Sequence, residues 1–167
     1  MGGVISHQLG VRFNSPFVNL FICAEDYVTL LENLDKYLKE KIENITPVDS
    51  KYPIGLLGGR ITIHFMHYNT FESAVECWYR RCERINMDNL YIIMSERDGC
   101  TLEHIKRFDK LPYQHKVIFC SFPQKEVKSL YYVKGFEALG EVDMLLYQPG
   151  YLSPLWKFNW PVFFNQR

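Results

Sequence analysis

Two runs of consecutive apolar residues, NLYIIMS (89–95) and KVIFCSF (116–122), bracket a stretch with helical spacing. A strand that is apolar at nearly every position has to be covered on both faces, as strands of parallel sheets are. Between the two runs, LEHIKRFDKL (102–111) has the length of a short helix, and Thr101 stands where it can cap it. SLYYVKG (129–135) reads as a further strand that ends at Lys134 and Gly135. Strands alternating with helices imply an α/β chain with a mainly parallel or mixed sheet and helices on both faces.

The first half adds elements of the same kind. SPFVNLFI (15–22) reads as a strand that Pro16 punctuates. In AEDYVTLLENLDKYLKEKIENI (24–45), Tyr27, Leu30, Leu31, Leu34, Leu38 and Ile42 recur at three- and four-residue steps. That spacing predicts one long amphipathic helix, with Glu25 and Asp26 in its first turn and Thr46 and Pro47 at its end. VDSKYPIGLLGGR (48–60) reads as a loop. RITIHFMHY (60–68) alternates, with Ile61, Ile63 and Phe65 on one face and Thr62, His64 and Met66 on the other, which predicts a strand. Asn69 or Thr70 then caps a helix that runs to about Ile85. ERDGC (96–100) is a turn in which Gly99 can take positive φ. If the strands at 60–68, 89–95 and 116–122 are parallel, the loops after them share one edge, where α/β sheets hold their ligands. The tail at 151–167 has no clear period, and its alternating Trp156, Phe158 and Trp160 are expected to pack over the sheet or an edge. Without a repeat or a linker, residues 1–167 read as a single domain.

Composition narrows the function classes. The 167 residues are 47% apolar and 23% charged, as in ordinary globular chains, and this excludes a disordered one. A formal charge of zero gives no electrostatic case for nucleic acid. Five cysteines with no CxxC pair argue against a disulfide framework or a structural zinc site, and favour a reducing cytoplasm. Every apolar run is shorter than the roughly 20 residues a transmembrane helix needs. MGGVISHQLG lacks the basic and apolar regions of a signal peptide, although MGGVIS matches the pattern for N-myristoylation.

Several residues are candidates for chemistry. On a strand, His64 and His67 point to opposite faces, so a shared metal would need the strand to end between them. Each is otherwise a hydrogen-bonded structural histidine or a general base. Arg80, Arg81 and Arg84 lie one helical turn apart, and Glu76 can pair with Arg80 on a solvated face. Arg81 shares the inward face with Cys77 and Trp78, where a guanidinium needs a carboxylate such as Asp88 or Asp98, or a bound phosphate. Arg97, Asp98 and Cys100 would lie at the carboxyl edge of the sheet, and Cys100, just before a helix, is placed for a lowered pKa and a nucleophilic role. The glycine pairs in LLGGR and MGGV are weak phosphate signals.

GGVISHQLGVRFNSPFVNLFI, YPIGLLGGRITIHFMHY, CWYRRCERIN, DNLYIIMSERDG and FDKLPYQHKVIF occur in this order. Together they resemble the bacterial family called domain of unknown function nineteen-nineteen, over roughly residues 2 to 135. The resemblance implies an α/β fold and a setting in exopolysaccharide or capsule biosynthesis. It points to Gly2, Gly3, Asn14, Ser15 and Pro16; to His64, His67 and Tyr68; to Trp78, Arg81 and Arg84; and to Asp88, Asn89, Arg97, Asp98 and Gly99. Members of the family usually begin with another strand and an Asn-Cys pair before the double glycine, whereas Met1 precedes Gly2 here. They often carry an acidic residue where Gly59 stands. The expected activity is that of a transferase, glycosyl or acyl, with the cofactor left open. Arg81, Arg84 and Arg97 take the phosphates of a donor, Tyr68 and Trp78 stack on it, His64 or His67 acts as base, and Asp98 orients the base or binds hydroxyls. The alternative is a non-catalytic module that binds the pathway's glycan or a partner protein.

Overall fold

The computed structural model describes residues 14–143 and 158–165; Gly2, Gly3, the myristoylation pattern and Trp156 lie outside the described residues. The chain divides between Asn86 and Met87 into two compact units.

In the first unit, α1 (Ala24–Glu32) and α2 (Leu34–Tyr37) precede β1 (Ile42–Asn44), β2 (Ile54–Leu57), β3 (Ile61–His64) and α3 (Phe71–Cys82). The strands form an antiparallel sheet in the order β1-β2-β3. The single long helix expected over 24–45 is therefore corrected. It breaks at Asn33, whose φ of −139° and ψ of 46° are not helical, and Ile42 becomes part of a strand. Asparagine is a poor helix former, and burial of Ile42 opposite Leu57 offsets the lost helical turns. The loop expected over 48–60 is corrected as well, because Ile54–Leu57 pairs on both sides. Its period-two pattern is hidden by Gly55, which has no side chain to display it.

The glycine pair of LLGGR closes the β2–β3 hairpin. Gly58 and Gly59 have φ values of 57° and 67°, a conformation glycine adopts without the penalty a Cβ brings. The strand expected over 15–22 shrinks to one bridge, in which Phe21 and His64 exchange both backbone hydrogen bonds at 2.8 and 2.9 Å. Residues 16–19 form a turn, with Asn19 at φ 65°. Beside that bridge, the buried Asp26 of α1 accepts from the Thr62 N–H at 2.8 Å and from Arg60 Nη1 at 3.3 Å. The outer edge of β3 thereby finds partners in a chain segment and a carboxylate. Alternation along β3 is as expected, with Ile61 and Ile63 buried and Thr62 and His64 half-buried. Thr70 caps α3 by accepting from the Ser73 N–H.

The second unit contains β4 (Tyr91–Ser95), α4 (Leu102–Lys110), β5 (His115–Cys120), β6 (Leu130–Tyr132) and α5 (Trp160–Phe164). Its strands form a parallel sheet in the order β4-β5-β6, in register from Tyr91 opposite His115 to Cys120 opposite Tyr132. Thr101 and His104 make a reciprocal capping box at the start of α4. At its end, Asp109 accepts from both the N–H and the hydroxyl of Ser129 at 2.7 Å, which fixes the entry to β6. β5 is covered on both faces, as its apolar run predicts, whereas burial in β4 alternates: Ile92 and Met94 are inside, Tyr91, Ile93 and Ser95 half-exposed. Phe158 and Trp160 pack against Phe119 with ring centroids 5.1 and 5.8 Å apart, so these tail aromatics cover the sheet.

The α/β class holds, with one parallel sheet, one antiparallel sheet and five helices among the described residues. β3 belongs to the antiparallel sheet, so the expectation of parallel strands opening on one edge holds for β4 and β5 only. No helix among the described residues is long and apolar enough to cross a membrane.

Gly55 tests the packing of the first sheet. A Cβ there would lie 2.5 Å from the Ile42 side chain and 3.2 Å from the Phe65 ring. Gly55→Ala is expected to lower stability by about 1–3 kcal/mol in urea titration. Gly59→Asn, facing open space in a conformation asparagine tolerates, is expected to stay within about 0.5 kcal/mol of the parent.

Candidate functional site

The expected site residues divide between the two units. His64, His67, Tyr68, Trp78, Arg81 and Arg84 belong to the first, Arg97 and Asp98 to the second.

In the first unit, His64 ends β3 with its ring between Phe21 and Tyr52, at centroid distances of 5.2 and 5.9 Å. Its Nδ1 is shielded and has no hydrogen-bond partner among the described residues. Burial pulls its pKa below the ordinary 6.5, against the opposing pull of the Asp26 charge, so the ring is neutral at neutral pH. His67 lies exposed on the turn that follows. The strand does end between the two histidines, the one arrangement in which they could approach a shared ligand. Among the described residues, however, no group of three or more His, Cys, Asp or Glu is placed to hold a metal ion.

Arg81 faces inward and is only 9% exposed. The partner expected for it was a carboxylate or a phosphate. Among the described contacts, Nη1 donates to the Val18 carbonyl at 2.8 Å and to the Tyr68 hydroxyl at 3.0 Å. Arg81 thus ties α3 to the 16–19 turn and to the segment after β3. Burial raises the pKa of the Tyr68 phenol, with a further push from Cys77, while the Arg81 charge opposes both. Trp78 is 1% exposed and meets Phe17 edge-on at 5.7 Å, which places its ring in the core instead of on an open face. Arg80 pairs loosely with Glu76 at 3.9 Å on the solvated side, as its spacing predicts, and Arg84 is exposed just beyond α3.

In the second unit, the segment after β4 makes the carboxyl edge of the parallel sheet. Glu96 continues the inward phase of Ile92 and Met94 and is 7% exposed. Its carboxylate accepts from the Ser121 N–H at 2.6 Å and from the Ser121 hydroxyl at 2.8 Å. Its own N–H donates to the Phe119 carbonyl at 2.8 Å, so Glu96 binds the ends of β4 and β5 together. Sequence reasoning passed over this pair, although period two from Ile92 already turns Glu96 inward. The chain then reverses through Asp98 and Gly99, at φ 55° and 79°. An aspartate in the left-handed region is uncommon and marks a constrained turn. Arg97 extends from it at 43% side-chain exposure, its Nε 2.6 Å from Asp98 Oδ2 and its Nη1 3.6 Å from Asp143 Oδ2. The lowered pKa expected of Cys100 is overturned. Burial, and then the Glu96 charge, push it up to about 12, so the sulfur is a thiol, not a nucleophilic thiolate.

Residues 1–153 match the model of the family described as Domain of unknown function (DUF1919). The chain belongs to this family. It is 43% identical over 142 residues to an uncharacterized protein of Haemophilus influenzae, an alignment spanning 85% of this chain and 68% of the relative. The family assignment agrees with the resemblance read from the motifs.

Two measurements test these assignments. Replacing Arg81 by Ala leaves the Val18 carbonyl and the Tyr68 hydroxyl without that donor, and is expected to cost about 1–3 kcal/mol in chemical denaturation. His64 is expected to make stability depend on pH. Its folded pKa lies below 6.5, so the unfolded chain takes up the proton first, and stability falls as pH drops through 6.5. His64→Asn is expected to flatten the dependence of the urea midpoint on pH between roughly 7.5 and 5.5.

Proposed function

We propose that this DUF1919 chain acts in bacterial surface-polysaccharide assembly, in the cytoplasm, as a transferase using an activated donor that carries phosphate. The pathway setting rests on the resemblance of its motifs to proteins of exopolysaccharide and capsule biosynthesis. One structural observation carries the chemistry. Arg97 and Asp98 form an exposed ion pair, on a left-handed turn, at the carboxyl edge of a parallel sheet. That edge is where open α/β sheets hold ligands, and a guanidinium there is suited to the planar oxygens of phosphate.

In the proposed step an acceptor hydroxyl oxygen bonds to the transferred sugar carbon as the carbon–oxygen bond to the donor phosphate breaks. The phosphate leaves with the electron pair against Arg97, and the hydroxyl proton passes to the base. Asp98 is the first candidate for that base. The first unit holds its own candidates for a base acting there, His64 with a ring neutral at neutral pH and the exposed His67. In the first unit, Arg84 is an exposed cation just beyond α3. Arg81, Tyr68 and Trp78 enter as the buried support of the first unit.

A thermal-shift and turnover screen with nucleotide sugars and acyl-coenzyme A tests this. A nucleotide sugar is expected to raise Tm and to yield product. Arg97→Ala is expected to lower kcat/KM on the order of 10²–10³-fold. Asp98→Asn tests that residue as the base: kcat is expected to fall with the Tm shift by donor retained. No stabilisation and no product with any donor would overturn the proposal.

A further inference from the structure

The first unit holds a second feature that the transferase chemistry does not use. A groove of about 300 Å³ lies where the β1–β2 connection meets the start of α3. Its apolar surface comes from Tyr52 and Phe71, both half-buried, and its rim carries Asn44, Lys51, Asn69 and Glu72. Both rings are braced from behind: Tyr52 meets the His64 ring edge-on at 5.9 Å, and Phe71 meets Phe65 at 6.5 Å.

The rim has hydrogen-bonding capacity that the fold leaves unspent. Asn44 uses its carbonyl oxygen for the Thr46 N–H and hydroxyl, at 3.0 and 2.6 Å. Its amide N–H groups, the whole Asn69 side chain and the Tyr52 hydroxyl have no hydrogen-bond partner among the described residues. Lys51 and Glu72 contribute one charge of each sign, so these six residues carry no net charge. Amides and a hydroxyl around aromatic surface present donors and acceptors to hydroxyl groups and a flat apolar face to C–H groups. A balanced charge gives no preference to phosphate. The volume lies at the small end of the roughly 300–1,000 Å³ of ligand pockets, which suits a small ring more than a nucleotide diphosphate.

We infer that this groove binds a neutral sugar, with the ring over Tyr52 and Phe71 and the hydroxyls on Asn44 and Asn69. The ligand class rests on the chemistry of the groove and is independent of the transferase proposal above.

The test uses the full chain and ligand-observed saturation-transfer NMR, with titration calorimetry. The probes are methyl glycosides of glucose, galactose and N-acetylglucosamine and their neutral disaccharides, with uridine diphosphate as the anionic control. At least one neutral sugar is expected to bind. Asn69→Ala and Tyr52→Phe each remove hydrogen-bonding groups with little disturbance of packing, and each is expected to weaken binding ~3–10-fold at unchanged Tm. Binding that is unaltered in both variants, no binding of any neutral sugar, or displacement of the sugar by uridine diphosphate would each overturn the inference. Arg97→Ala separates the two proposals, because it is expected to lower donor turnover on the order of 10²–10³-fold and leave sugar binding intact. Sugar binding without turnover of any donor by the parent chain fails the transferase proposal alone.

Discussion

A backbone N–H that leaves water at the end or edge of a strand has to find an acceptor, and in this chain carboxylates repeatedly supply it. Asp26 accepts from Thr62, Glu96 from Ser121 and Asp109 from Ser129, all within 2.6–2.8 Å. Each joins segments far apart in sequence. Asp26 holds a helix to the edge of β3, Glu96 joins the ends of β4 and β5, and Asp109 joins the end of α4 to the start of β6. Short strands of three to six residues form few ladder bonds, so the geometry of both sheets depends on these side-chain contacts. A hydrogen bond to a carboxylate is worth about 1.5–3 kcal/mol, more than a neutral one.

The same devices place the chemistry. Because Glu96 is committed to Ser121, the next residues are thrown outward into the left-handed turn, and Arg97 and Asp98 stand at the sheet edge as a consequence. In the first unit, the bridge between Phe21 and His64 fixes the end of β3, and the His64 ring then backs Tyr52 in the groove. Arg81 does related work from α3, holding the Val18 carbonyl and the Tyr68 hydroxyl. Functional candidates and fold-holding contacts are thus neighbours along the chain, with different exposure.

Part of what the sequence signals agrees with the structure. The apolar run of β5, the alternation in β3 and the cap at Thr101 all appear where the pattern puts them. The failures have physical causes. Leu34, Leu38 and Ile42 keep helical spacing, but Asn33 leaves the helix and Ile42 finds better cover across from Leu57. β2 shows no clear period in the sequence because Gly55 replaces one of its side chains, in a space that Ile42, Phe65 and Phe71 fill. At the candidate sites, residue type and spacing singled out Arg81, Arg97, Asp98 and His64, and burial then sorted them. Exposure leaves Arg97 at the surface, and closure around Trp78 puts that ring in the core. The groove at Tyr52 depends on where the 48–53 segment passes α3, and no local pattern records that.

Burial raises the pKa of the Cys82 thiol to about 12, as it does for Cys100, and it raises that of Cys120 as well. A protonated sulfur is a poor nucleophile toward peroxide or a disulfide. The acidic residue that braces the parallel sheet, Glu96, adds to this effect at both Cys100 and Cys120. The carboxylate that holds the strands together thus also favours the protonated form of the sulfurs beside it.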